Sequence, residues 1–277
     1  MSKRIACITC DVEIKSTGNI DNLKNIIDLL NKYGISGTLF LELTNNNIDL
    51  YKTNDLINHF QNHELGLHIH WTDSRTKGLE NLILDDMRKE LENSLDFSKE
   101  LGFKPVSFRG GGLCCTNASL RLIKEYGFKI DSSVAAKLNE SGAWFQNHTN
   151  VPYKSWYYPS KQSYDIPALV NEDRQGILEV PVTRMIPSGR QWYPWALTPQ
   201  TPFFKFIVTE WIIKSKWEPI TAITPIFHSW GEGKLRVEKG RFSLFTNKLE
   251  NSIKFMLSNN FEFMKLRDFQ TLIESIK

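Results

Sequence analysis

Apolar and polar positions along this 277-residue chain switch between two periods. Leu65, Leu67 and Ile69 alternate with Gly66, His68 and His70, the two-residue repeat of a strand with unlike faces. Leu23, Ile26, Ile27, Leu29 and Leu30 recur at helical spacing, and Gly34 supplies a stop. Followed along the chain, the two periods predict strands at 4–10, 37–41, 64–70, 106–109 and 128–133. Helices are predicted between them at 21–32, 55–62, 84–101 and about 116–126. Strand then helix, repeated, means parallel strands covered by helices, an α/β architecture. Residues 139–200 break the rhythm. There Trp144, Trp156, Tyr157, Tyr158, Trp192, Tyr193 and Trp195 read as aromatic loops over the mouth of the sheet, around one strand at 177–183. A helix at 202–215, a strand at 221–227, a helix at 243–258 and a short strand and helix complete the pattern. With no linker, repeat or low-complexity tract, residues 1–277 read as a single domain.

Composition narrows the classes of partner. Apolar residues at 41% and charged residues at 23% describe a soluble globular chain. A net charge of +3, with no dense basic block, argues against nucleic acid. No window approaches the roughly 18 apolar residues of a membrane span. The start Met-Ser-Lys-Arg leads into an apolar run too short for a signal peptide, interrupted by Asp11 and Glu13. Four cysteines in no obvious framework suit a reducing compartment, so a cytoplasmic protein is expected. Eight Trp, eight Tyr and 17 Phe fit either a sugar-binding surface or a large aromatic core.

The candidate chemistry gathers at predicted strand ends, where parallel α/β barrels carry their sites. His68 and His70 point the same way in an extended segment, so two imidazoles converge on one spot. Imidazole pairs suit zinc, iron, copper or nickel. Asp11 and Glu13, also two apart, repel each other unless a cation lies between them. Cys7 and Cys10 face opposite sides of a strand, which speaks against a redox or zinc pair. Arg109 ends the fourth strand, just before Gly110-Gly111-Gly112, and His228 ends the strand at 221–227.

These strand ends resemble, in order and spacing, the motifs of the NodB-homology polysaccharide deacetylases, carbohydrate esterase family four. Thr9-Cys10-Asp11-Val12-Glu13 resembles the first motif, and Gly66-Leu67-His68-Ile69-His70 a variant of the second. Phe108-Arg109-Gly110-Gly111-Gly112 stands where the family has Arg-x-Pro-Tyr. Gly127 to Ser133 resembles Gly-Phe-x-x-Asp-Ser-Ser, Leu178 to Val182 resembles Leu-Glu-Ile-Pro, and Ile226-Phe227-His228 resembles Leu-x-His. The likeness runs from about residue 5 to 270. Two departures stand out. The family's second histidine lies four residues after the first, where this chain has Thr72, so His70 must substitute from two residues on. Glycines replace Pro-Tyr, which implies more room for substrate.

The resemblance implies a distorted (β/α) barrel and metal-dependent removal of an N-acetyl group from a sugar. Glu13, His68 and His70 would hold one divalent ion, zinc first, with nickel, cobalt, manganese or iron as alternatives. Asp11 would be the general base and Arg109 its partner. His228 would protonate the leaving amine, oriented by Asp131. A backbone N–H near Gly111 or Gly112 would meet the oxyanion, and Ile226 and Trp230 would wall the acetyl pocket. The implied partner is an N-acylated sugar or glycan precursor. The alternatives are a cyclic-amide or ureide hydrolase of the allantoinase kind on the same scaffold, and a non-catalytic carbohydrate-binding barrel. An amidohydrolase barrel would carry its His-x-His after the first strand, not the third. A cupin would place a glutamate where Ser74 and Arg75 stand.

Overall fold

The computed structural model describes residues 2–14, 17–71, 84–136, 148, 150–184, 198, 204–229 and 242–276. Ten strands appear among them: β1 Lys3–Ala6, β2 Thr9–Val12, β3 Thr38–Glu42, β4 Glu64–Ile69, β5 Ser107–Gly110, β6 Ile130–Asp131, β7 Leu178–Glu179, β8 Ile220–Ile223, β9 Ile226–His228 and β10 Glu262–Phe263. The helices are α1 Thr17–Lys32, α2 Ile48–Thr53, α3 Leu56–His59, α4 Leu84–Glu100, α5 Asn117–Glu125, α6 Phe204–Lys214, α7 Phe242–Ser258 and α8 Leu266–Glu274. Seven strands form one sheet in the order β7-β6-β5-β4-β3-β2-β9, and three form a second, β10-β1-β8. Every neighbouring pair in both sheets is parallel. This is the α/β architecture the alternating periods predict, a parallel sheet that curls into a half-barrel.

Helical periodicity translates directly into packing. In α1, Leu23, Ile26, Ile27 and Leu30 are all buried, and the chain turns at Gly34 with φ +64°, a conformation that favours glycine. Thr116 caps α5, its Oγ1 accepting from the Ser119 N–H at 3.0 Å. One apolar cluster, from Ile8 and Leu23 to Phe245 and Phe261, fills the space between sheet and helices. A second, with Ile5, Phe40, Ile130, Leu178 and Phe269, lies inside the curl of the sheets.

Two predicted strands each divide in two. The run at 4–10 breaks at Cys7-Ile8, and the run at 221–227 breaks at Thr224-Pro225. The first halves, β1 and β8, pair with each other in the small sheet. The second halves, β2 and β9, pair in the large one. Across the break the Cys7 N–H donates to Ile223 O at 2.8 Å and the Thr9 N–H to Pro225 O at 3.0 Å, while Ile8 O accepts from the Thr38 N–H at 2.9 Å. The backbone thus stays hydrogen-bonded on both sides of the break as it changes partner, and Pro225 brings no N–H to be paired.

Gly66 shows why β4 needs a glycine. A Cβ there would lie 2.6 Å from Ser107 Oγ and 2.8 Å from the Phe40 ring. The expectation of aromatic loops over the mouth needs correcting for the described residues. Trp156 and Tyr158 pack against the inner cluster and line a 450 Å³ cavity with Pro219 and Ile220, at the start of β8 and away from the strand tips. Trp144, Trp192, Tyr193 and Trp195 lie outside the described residues.

Candidate metal centre and active site

The tips of β2 and β4 meet. β3 separates them in the sheet, with Asp11 opposite Phe40 and Glu42 opposite His68. Alternation puts Asp11 and Glu13 on one face of β2, and His68 and His70 on the same face of β4. His68 Nε2 lies 3.1 Å from His70 Nε2, which lies 3.1 Å from Glu13 Oε1. The third side, His68 Nε2 to Glu13 Oε1, is 3.5 Å. Nitrogen and oxygen donors about 2.0–2.1 Å from a tetrahedral ion stand roughly 3.3 Å apart. The three atoms therefore fit three corners of a zinc-type site. His68 Nδ1 lies 3.0 Å from the Arg109 carbonyl. As a donor there it fixes the tautomer and leaves the Nε2 lone pair facing the triangle.

Asp11 stands beside this triangle. Its Oδ1 accepts from Arg109 Nη1 at 2.8 Å, and its Oδ2 lies 4.0 Å from both His68 Nε2 and His228 Nε2. Burial alone would raise its pKa, but Arg109, His68 and His228 outweigh burial and hold it below the usual carboxylate value. Glu13 is pulled the same way, burial being overcome by His68 and His70. Burial disfavours the imidazolium of His68, yet Asp11 and Glu13 raise its pKa. Both carboxylates are thus poised as anions for a cation.

Arg109 is fully buried and held on every side. Its Nε donates to Ser132 O at 2.9 Å, Nη2 to Ser132 Oγ at 2.8 Å and Nη1 also to Thr9 Oγ1 at 3.0 Å. The guanidinium carbon lies 4.3 Å from the Phe40 ring centre. His228, a quarter exposed, lies 3.8 Å from Glu13 Oε1 at the rim. The Ser229 N–H donates to Asp11 O at 3.0 Å, and the Glu13 N–H to Ser229 Oγ at 3.3 Å, which fixes the backbone under both acids. A cavity of about 160 Å³ opens beside His68 and His70, lined by Glu42, Thr44, Asn45, Glu90 and Asn93. Such a lining offers hydrogen bonds to hydroxyl groups.

Neither a sequence-family model nor a curated protein matches the chain. Solved structures do. A candidate polysaccharide deacetylase from Mycobacterium smegmatis superposes with a TM-score of 0.63 at 14% identity, over 99% of this chain and 91% of that one. A candidate glycoside hydrolase/deacetylase from Parabacteroides distasonis gives a TM-score of 0.70 at 11% identity, over 99% and 72%. A carbohydrate esterase family four pseudoenzyme from Bacillus anthracis gives 0.50 at 12% identity, over 96% and 65%. This is the NodB-type fold.

On the NodB-type fold, the tips of β2, β4, β5 and β9 bring together Asp11, Glu13, His68, His70, Arg109 and His228. Ile226 is buried with Leu113, Ala135 and Val182 below them. Gly111 and Gly112 lie in a single 3-10 turn, Gly111–Leu113, directly after β5. Trp230 lies outside the described residues. Asp131 sits elsewhere than its expected role requires. Its Oδ1 accepts from Ser133 Oγ at 2.6 Å, and its carboxylate forms a buried cluster with Cys115 and Glu179, ligand atoms within 4.8 Å of one another. Its contacts there are with β7 and the Cys114-Cys115 segment, and orienting His228 is not among them. Burial, then the neighbouring Asp131, raises the Glu179 pKa, and burial raises that of Asp131. Both shifts favour the neutral acid over the anion in this dry interior.

The glycines after Arg109 do not open the extra room that their small size implies, because the His70 ring lies over Gly111. Several supporting residues carry no signal of their own in the sequence. Ser133 Oγ accepts from the Gly110 N–H at 2.8 Å, and His148 Nε2 lies 2.8 Å from Leu113 O, tethering the glycine turn. His63 is buried, its Nδ1 accepting from the Gly37 N–H at 3.1 Å.

Proposed function

We propose that this protein is a metal-dependent hydrolase that removes an N-acetyl or similar acyl group from a sugar or glycan precursor. The observation that carries the reading is the Glu13–His68–His70 triangle, with an arginine-held aspartate and a rim histidine beside it. An amide carbonyl is a poor electrophile and water a poor nucleophile; a bound divalent ion, zinc by preference, would activate both. Asp11, kept ionised by Arg109, takes the proton of the attacking water. Its second oxygen is committed to Arg109, so the carboxylate cannot rotate away. His228, at the rim beside Glu13, delivers a proton to the departing amine. Backbone N–H groups of the Gly111–Leu113 turn stabilise the tetrahedral oxygen, a contribution of about 3 kcal/mol per donor in comparable sites. Ile226 bounds the acyl methyl, and the polar cavity by Glu42 and Asn93 receives sugar hydroxyls.

The descriptions of the Mycobacterium and Parabacteroides neighbours support the deacetylase reading over the ureide alternative. The Bacillus pseudoenzyme shows that this fold also occurs without activity. We place the enzyme in the cytoplasm, acting on a nucleotide- or lipid-linked precursor. The test is acetate release from N-acetylated sugars, by metal-free protein and after adding back zinc. Zinc-dependent release supports the proposal. Turnover of allantoin alone would favour the ureide reading, and no turnover of either substrate by zinc-loaded protein would favour the binding barrel.

A further inference from the structure

The run Gly110-Gly111-Gly112 serves three separate steric needs. A Cβ on Gly110 would meet Cys114 O at 2.2 Å, so that glycine permits a backbone approach. Gly112 has φ +63°, so that glycine permits a left-handed turn. Gly111 is neither case. Its φ lies outside the left-handed region, and the atoms its Cβ would meet are the His70 ring: Cγ and Nδ1 at 2.3 Å and Cε1 at 2.6 Å. Ordinary carbon contacts lie at about 3.5–4.0 Å, so any side chain here displaces the imidazole by roughly 1 Å or more.

We propose that Gly111 is the positioning residue for His70, and that the His-x-His spacing and the glycine two residues after Arg109 are one coupled feature. The sheet register explains the coupling. β4 and β5 align Ile69 with Gly110, so His70 and Gly111 follow as neighbours just past the ends of both strands. His70, only two residues beyond His68, has its ring seated over residue 111 while its Nε2 lies 3.1 Å from Glu13 Oε1. The space that a proline ring at 111 would take is the space the imidazole uses. A side chain at 111 and a working histidine at 70 therefore exclude each other. Ligand atoms tolerate displacements of only about 0.5 Å before a site loosens.

The inference rests on the metal-centre reading, and the experiment separates the two. Zinc affinity is measured by chelator competition on metal-free wild type, Gly111→Ala, His70→Ala and the double variant. Gly111→Ala is expected to weaken zinc about tenfold or more, and the double variant to bind no more weakly than His70→Ala alone. Wild-type affinity in Gly111→Ala, or losses that multiply in the double variant, overturns the coupling. If wild type takes up no zinc, the metal-centre reading falls. The coupling is then decided by the melting temperature of the metal-free proteins: Gly111→Ala lowers it and His70→Ala in the same chain restores it, or the coupling falls as well.

Discussion

Two pairs of carboxylates stand at the tips of parallel strands in one sheet, and they are held in opposite charge states. Asp11 and Glu13 on β2 are pushed toward the anion by Arg109, His68, His70 and His228. Asp131 on β6 and Glu179 on β7, paired in register, are pushed toward the acid, Asp131 by burial and Glu179 by burial and then by Asp131. Both pairs are buried, so burial does not separate them. The neighbours do. The first pair faces three imidazoles and a guanidinium. The second faces a thiol, Cys115, whose own pKa burial raises. A parallel sheet supplies converging acids at either place, and the adjacent strands decide which of them can receive a cation.

The contrast breaks most sharply at Asp11. Asp11→Asn should lower turnover by about 10²–10⁴-fold while zinc content, read by elemental analysis, stays at the wild-type level, since Asp11 is not part of the ligand triangle. Loss of zinc along with turnover would move Asp11 into the ligand set. Next comes its partner. Arg109→Met leaves a buried anion without its counter-charge and four hydrogen bonds unmade, and should cost about 3–5 kcal/mol in urea unfolding. A third test uses His148, whose pKa burial lowers to about 4. A base depressed in the fold contributes stability that is complete above its unfolded pKa of about 6.5 and is lost as pH falls toward 4. His148→Gln should remove up to about 3 kcal/mol of acid sensitivity from that window.

The smallest effect belongs to the second pair, and its sign is reversed. Carboxyls with a raised folded pKa contribute stability that is complete below the ordinary carboxylate pKa and is lost as pH rises through the folded value. Glu179→Gln keeps the shape of the protonated acid, so at pH 5 it should change stability by no more than about 1 kcal/mol. Between pH 5 and 9 its stability should fall less than that of wild type. A parallel fall in both proteins would show that Glu179 is ionised in the fold.

Much of this was legible in the sequence because side-chain period reports which face a residue occupies. Alternation put His68 with His70 and Asp11 with Glu13, and the order of strands and helices gave the parallel sheet. Period says nothing about which strand lies next door. The resemblance pairs Asp131 with His228, whereas its neighbours are Glu179 and Cys115. The breaks at Cys7-Ile8 and Thr224-Pro225 were hidden for the same reason: each apolar run continues unbroken while its hydrogen-bond partner changes. Helix α2 leaves no periodic signal because its six residues bury only Ile48 and Tyr51, too few to show a period. The seat of His70 on Gly111 joins residues 41 apart and needs coordinates to be seen.

The register of β9 against β2 carries one more consequence. Thr9 aligns with Ile226, Cys10 with Phe227 and Asp11 with His228. Slippage by a single residue would turn every side chain of β9 over, presenting a phenyl ring to Asp11 and forcing an imidazole among Phe245 and its neighbours. Such a misthreaded product would lose the cluster of imidazole and carboxylate groups and be less stable, so the side chains that build the site also penalise the wrong register of β9.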